Sequence, residues 1–350
     1  MRCSRLGHAC WRHAAPSLRH QQASLRCQSK SSTVHNTLNC DRKTASDVFK
    51  DGKVFSLERA IDTQHERDSQ LWETKAFQFS VYPDLPRFMR WSDLLTPRRL
   101  LASPPHRSPP GTAPDRYIVR TVGLQLRGPE AIAQRLLERA GLSQQGEPLQ
   151  DACPADALLL VSGSHALRPA LSWTGALQDT VAALKIARAL REQGQLPSTL
   201  SLWAVSNPLR DPPDSLLRKV DAGAEAILTQ PPLLRGQFEA WYEGVTRLGI
   251  SKSAQFVIGA CMLTSARSAG FWLRLCHAEH LDGAQALVGA FGRAEEAGKR
   301  ALLQHSYEHT RKQIAQVLQL PEIAGLHVMP VSTAGRKLAT QLAAEKLFTR

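Results

Sequence analysis

Short, nearly continuous apolar runs, each followed by a helix-length stretch, recur along most of this chain and leave few folds open. Ala157–Ser162, Thr199–Val205, Ala224–Thr229 and Ala254–Gly259 are such runs. A strand that is apolar on consecutive residues is buried on both faces, as in a parallel sheet covered by helices. Between the runs, Gly175–Gln193 is amphipathic, with Val181, Leu184, Ile186, Ala187 and Leu190 near one face and Gly194 after its end. Pro129–Ala140 has proline in its first turn and Gly141 as its stop. Pro212–Asp221, Gly236–Leu248, Ser265–Leu275, Ala294–Leu318 and Ala334–Lys346 also read as helices. Tyr117–Leu124 and Gly325–Met329 add strands at either end of the series, and Phe77–Tyr82 precedes it.

Right-handed crossovers over this many units close into a (β/α)8 barrel. About seven strands are visible, so the second βα unit is expected to be degenerate. Its place falls in the proline-rich stretch 96–114, an irregular loop. A doubly wound open sheet is the alternative, but no Gly-x-Gly-x-x-Gly turn follows a strand. The expected organisation is a leader over 1–45, a polar extension over 46–76 holding one weakly helical stretch near Val54–Ile61, and a barrel over 77–350. The chain of 350 residues exceeds the roughly 250 that one barrel needs. In such a barrel the strand ends face the active site, which makes Thr229 and Gln230 candidates for ligand contact.

The net charge of +13 first points to nucleic acid. Six of the cations, Arg2, Arg5, Arg12, Arg19, Arg26 and Lys30, lie in residues 1–40, which hold no acid and are rich in Ser and Ala. That is the composition of an organelle transit peptide, mitochondrial or plastid, so nucleic acid is not the expected partner. The pair Arg98-Arg99 has no aromatic platform beside it and reads as a solvated loop. No run approaches the roughly 18 apolar residues of a membrane span. Cys3, Cys10, Cys27 and Cys40 belong to the leader, and Cys153, Cys261 and Cys276 show neither a disulfide framework nor a zinc spacing.

The run Leu217-Arg-Lys-Val-Asp-Ala-Gly-Ala-Glu-Ala-Ile-Leu-Thr-Gln-Pro231 resembles the methylenetetrahydrofolate reductase family. Ala204-Val-Ser-Asn-Pro208 before it, Leu158-Leu-Leu-Val-Ser-Gly163 and Gly325-Leu-His-Val-Met-Pro330 fall in the family's order, and the Thr-Gln-Pro ending looks most like its bacterial branch. The resemblance covers roughly Tyr117 to the C-terminus. It implies a barrel that carries FAD and reduces 5,10-methylenetetrahydrofolate to 5-methyltetrahydrofolate with NAD(P)H, possible homo-oligomerisation, and folate as the partner. By resemblance, Lys219 and Ala204 contact the flavin, and Gln230 hydrogen-bonds the folate pterin, to which an amide offers both donor and acceptor. The chemistry also needs polar groups to tune the reduced flavin and an acid to protonate the folate amine so that the ring opens to an iminium.

The chain departs from the family at two acids. Where the family's fourth strand ends in Gly-Asp, this sequence has Gly163-Ser164, which leaves Ser164 beside the flavin without a charge. The family's first strand carries the proton-donating Glu in a Phe-Glu pair with Pro-Pro-Arg after it. The nearest match is Val81-Tyr-Pro-Asp-Leu-Pro-Arg87, which puts Tyr82 at that place and Asp84 two residues on. A second hypothesis follows: a relative that has lost catalysis and keeps the barrel as a folate- or flavin-binding or regulatory partner. His305-Ser-Tyr-Glu308-His309 has the spacing of inverted zinc peptidases but no third ligand downstream. Ser162-Gly163-Ser164-His165 lacks a nucleophile elbow, and Phe271-Trp272 reads as core or interface.

Overall fold

In a computed structural model of the chain, the residues described are 43–59, 71, 74–83, 116–124, 128–149, 154–162 and 179–349. All of them belong to one compact unit, Lys43–Arg350. Residues 1–42 and the proline-rich stretch 96–114 lie outside the described residues.

Eight parallel strands close a barrel in sequence order: β1 Val54–Glu58, β2 Phe79–Tyr82, β3 Tyr117–Gly123, β4 Ala157–Val161, β5 Ser201–Ser206, β6 Ala226–Thr229, β7 Gln255–Cys261 and β8 Ile323–Met329. Closure is made by β8 on β1, with Ser56 in register with His327. The described helices are α1 Ala45–Val48, α2 Pro129–Ala140, α3 Thr180–Glu192, α4 Ser215–Asp221, α5 Arg235–Arg247, α6 Ala266–Leu275, α7 Ala284–Glu296, α8 Lys299–Leu318 and α9 Thr333–Ala344. Among them none is long and apolar enough to cross a membrane.

The expected barrel is present, with one correction: no strand is missing. The first strand, Val54–Glu58, lies inside what reads as a polar extension with a weakly helical stretch. The reason is the direction of its side chains. Successive residues of a strand point to opposite faces; Phe55 and Leu57 enter the shell between sheet and helices, and Val54 the lumen. Ser56 and Glu58 therefore share the lumen face with Val54, and two polar residues on that face break up the apolar run. A second correction concerns the long helix expected over Ala294–Leu318. Two helices occupy that region, parted at Gly298, whose φ of 103° favours glycine.

The caps follow the sequence. Asp179 accepts from the Ala182 amide at the start of α3, and Ser265 forms a capping box with Ser268 at the start of α6. At the N-terminal end of the barrel, α1 closes the lumen. Its Ala45 and Val48 join Phe79, Val119, Leu159, Trp203 and Val257 in one apolar cluster. Phe49 stacks on Phe79 at 5.7 Å, and the Trp203 ring meets Phe79 edge-on at 5.2 Å. The larger apolar cluster lies outside the sheet, under the helices.

Candidate functional site at the barrel mouth

The C-terminal end of the lumen is polar where the other end is aromatic. Leu326 and Val328 face the shell, so His327 between them faces the lumen. Its Nδ1 lies 2.9 Å from Ser56 Oγ, and its Nε2 lies 3.6 Å from Glu58 Oε2. Ser56 and His327 are buried, while the Glu58 side chain keeps 29% exposure. A buried hydroxyl thus holds one ring nitrogen, and the other turns toward a carboxyl group open to the mouth. The ring couples the two, because the proton on one nitrogen decides what the other can do.

On β6, Ala226 and Leu228 face the lumen, so Gln230 two residues on continues that face. Its backbone amide donates to Ser206 O at 2.8 Å, and its side-chain Oε1 lies 3.9 Å from Cys276 Sγ. Gln230 is half-buried. Extending the β6–β7 register by two residues sets it beside Gly259. A side chain there would strike the Thr229 carbonyl, the Met329 methyl and the Gln230 backbone, the first at 2.4 Å. Glycine at 259 therefore leaves room for the Thr229 carbonyl and the Met329 methyl, and no side chain of β7 at that level stands between Gln230 and His327.

At the rim, a polar network ties the β5–α4 loop to neighbouring elements. Asp211 accepts from the Asn207 amide at 2.8 Å, and Asn207 Nδ2 donates to Cys276 O at 2.7 Å. Lys219, on α4, donates its ammonium to Val205 O at 2.7 Å and lies 4.0 Å from Asp211. Burial lowers its pKa from the usual lysine value, opposed by the charges of Asp211 and Asp179. Burial also pushes the Cys276 thiol up to about 12 and that of Cys261 well above the usual range. Both sulfurs stay protonated at neutral pH.

The residues singled out from sequence fall in different places. Gln230 stands at the mouth. Lys219 is committed to a strand-end carbonyl, and Ala204 is buried on the shell side of β5. Tyr82 ends the second strand, not the first; Phe79 and Val81 face the lumen, so Tyr82 points to the shell. Asp84 and Ser164 lie outside the described residues. The acid that ends the first strand is Glu58, and the sequence signal for it was the pair Leu57-Glu58 closing a short run that begins with Val54. His305 and His309 sit on α8, with both rings edge-on to Phe291 at 4.6 and 5.4 Å, and no group of metal-ligating side chains of three or more occurs among the described residues.

No family model matches the chain, and no curated protein sequence matches it. Among solved structures, the chain is similar to an uncharacterized protein from Clostridium thermocellum that binds two copies of 5-methyl-5,6,7,8-tetrahydrofolic acid. The TM-score is 0.56 at 11% identity, over 87% of this chain and 99% of that one. EDTA monooxygenase from Chelativorans sp. BNC1 superposes with a TM-score of 0.40 at 9% identity, over 84% of this chain and 94% of that one. The first likeness is one of fold.

Proposed function

We propose that the barrel mouth binds a reduced folate and that the chain acts on it as a methylenetetrahydrofolate reductase. The observation that carries this reading is Glu58, a carboxyl group at the end of the first strand, on the same lumen face as Gln230 and beside His327. That strand is where the family resemblance calls for the proton donor. The folate-binding protein of similar fold supports the choice of ligand class.

In the proposed reaction Gln230 engages the pterin. The Glu58 carboxyl, protonated, gives its proton to N10 of the methylene bridge. The bond from the bridging carbon to N10 breaks with its electron pair on N10, leaving an iminium between that carbon and N5. A hydride delivered to the carbon completes the N5-methyl group, and Glu58 must then regain a proton from solvent. His327 orients the carboxyl group, and Ser56 holds His327.

The hydride source implied by the resemblance is a flavin reduced by NAD(P)H. Of its three assigned contacts, Ser164 lies outside the described residues, Ala204 faces the shell, and Lys219 is held by Val205 O. The described residues fit the pterin end of the site and do not form a cradle for the flavin. The steps assigned to them therefore end at the iminium.

The test is direct. Protein lacking residues 1–42 is expected to bind 5-methyltetrahydrofolate in calorimetry, and flavin absorbance near about 450 nm would show that residues beyond the described ones complete a cofactor site. Folate-dependent oxidation of NADH or NADPH is expected as well. Binding of folate by a colourless protein without turnover would favour a folate-binding relative that has lost catalysis, and absence of folate binding would reject both readings.

A further inference from the structure

A glutamine amide is nearly symmetric in shape but opposite in chemistry at its two ends, so its orientation decides what it recognises. We propose that Cys276 is a positioning residue that holds Gln230 Oε1, so that the amide NH2 and not the oxygen meets the ligand. The proposal rests on the reading of the mouth as a folate site, and it adds which hydrogen-bonding edge of the pterin is selected: one that presents an acceptor.

Three observations place the cysteine for this. Its Sγ lies 3.9 Å from Oε1, within reach of a weak S–H donor. Its side chain is fully buried at the end of α6, and its carbonyl is pinned by Asn207 Nδ2 at 2.7 Å. Asn207 is held in turn, since its Oδ1 accepts from the Leu209 amide at 3.0 Å and its own amide donates to Asp211 at 2.8 Å. The backbone that carries the sulfur is therefore held by the β5–α4 loop.

Burial keeps the thiol protonated, so it has a hydrogen to give and remains a poor acceptor. Turning the NH2 toward it would set two good donors against a weak partner. With Oε1 turned to the sulfur, Nε2 has no hydrogen-bond partner among the described residues, and Gln230 is only half-buried. A ligand atom that meets it must accept a hydrogen bond, as the 4-oxo group of a pterin does. A 4-amino pterin places a donor at that edge instead.

The experiment compares binding of tetrahydrofolate and its 4-amino analogue to wild type, Cys276→Ser and Cys276→Ala. Wild type is expected to favour the 4-oxo compound by about tenfold, the size of one mispaired hydrogen bond. Cys276→Ser, which still donates, keeps the preference, and Cys276→Ala brings the two ligands near parity. Thermal melts show whether each variant is folded. Equal affinities in wild type, or a full preference kept by folded Cys276→Ala, would overturn the proposal. A second readout needs no ligand. In NMR, the side-chain NH2 signals of Gln230, assigned by their loss in Gln230→Ala, should show no cross-peak to the β protons of position 276 in wild type. They should gain one in Cys276→Ala, and a strong cross-peak in wild type would overturn the orientation. If neither pterin binds wild type, the folate reading fails and the NMR result alone decides this one.

Discussion

The two ends of the barrel lumen are built by the same strands in the same register, yet they hold opposite chemistry. At the N-terminal end, Phe49, Phe79 and Trp203 interlock beneath α1, and the lumen is filled with rings. At the C-terminal end, the same alternation brings Ser56, Glu58, His327 and Gln230 inward. The contrast sits within single strands: β1 turns Val54 into the apolar cluster and Glu58, four residues on, toward the mouth. One end of a barrel can be spent on cohesion because the loops that would use it for binding leave from the other. The lower half should answer to substitution through stability and the upper half through chemistry, and each expectation below tries that division.

The largest effect belongs to the lower half. Trp203 is fully buried, and its Nε1 donates to Ser201 Oγ at 3.0 Å. Trp203→Ala should cost about 3–5 kcal/mol and lower the melting temperature by on the order of 10 °C. Calorimetry should find the folate affinity of the folded fraction unchanged; a selective loss of affinity in a stable variant would break the division. Next comes Glu58→Gln, which keeps the shape and removes the proton donor. Turnover should fall by about 100- to 10,000-fold. Stability should move by about 0.5 kcal/mol or less. Methyltetrahydrofolate binding should persist, and turnover close to wild type would remove Glu58 from the chemistry.

Gln230→Ala should act on binding more than on stability. Losing one polar contact to a pterin corresponds to about a tenfold rise in folate Kd. Flavin content, read from absorbance, should not change with it. An equal loss of flavin and folate would mean that Gln230 supports the whole rim, and the upper half would then be less purely chemical than its geometry implies.

Much of this architecture is legible in the sequence where burial comes from two faces. β4 to β7 read directly, since Leu158–Val161 or Phe256–Ile258 meets the lumen on one side and helices on the other. β1 does not read, because polar residues interrupt its pattern: Ser56 and Glu58 occupy lumen positions beside the apolar Val54. Gln230 is legible because it closes a clear strand. Lys219 is harder, since the position of a lysine on α4 leaves open whether its ammonium reaches the mouth or caps Val205 O. The contact between Cys276 and Gln230 has no local signature at all, as it depends on how the end of α6 returns to β6.

The smallest expected effect tests the division from outside the lumen. His309 lies on α8, packed edge-on against Phe291, and its pKa falls to about 4, chiefly through burial and then through the charges of His305 and Lys312. In the unfolded chain the imidazole titrates near about 6.5. Between those values the unfolded state binds a proton that the folded state refuses, so stability must decline as pH falls through that window and is unaffected above it. The partly exposed ring limits the loss to on the order of 1–2 kcal/mol. His309→Leu should leave the melting temperature at pH 7.5 nearly unchanged and flatten its decline between about pH 6.5 and 4. Glu58→Gln, compared over the same range, should leave that decline in place. If Glu58→Gln flattened it and His309→Leu did not, the acid sensitivity of the fold would lie in the mouth, and the upper half of the lumen would carry stability after all.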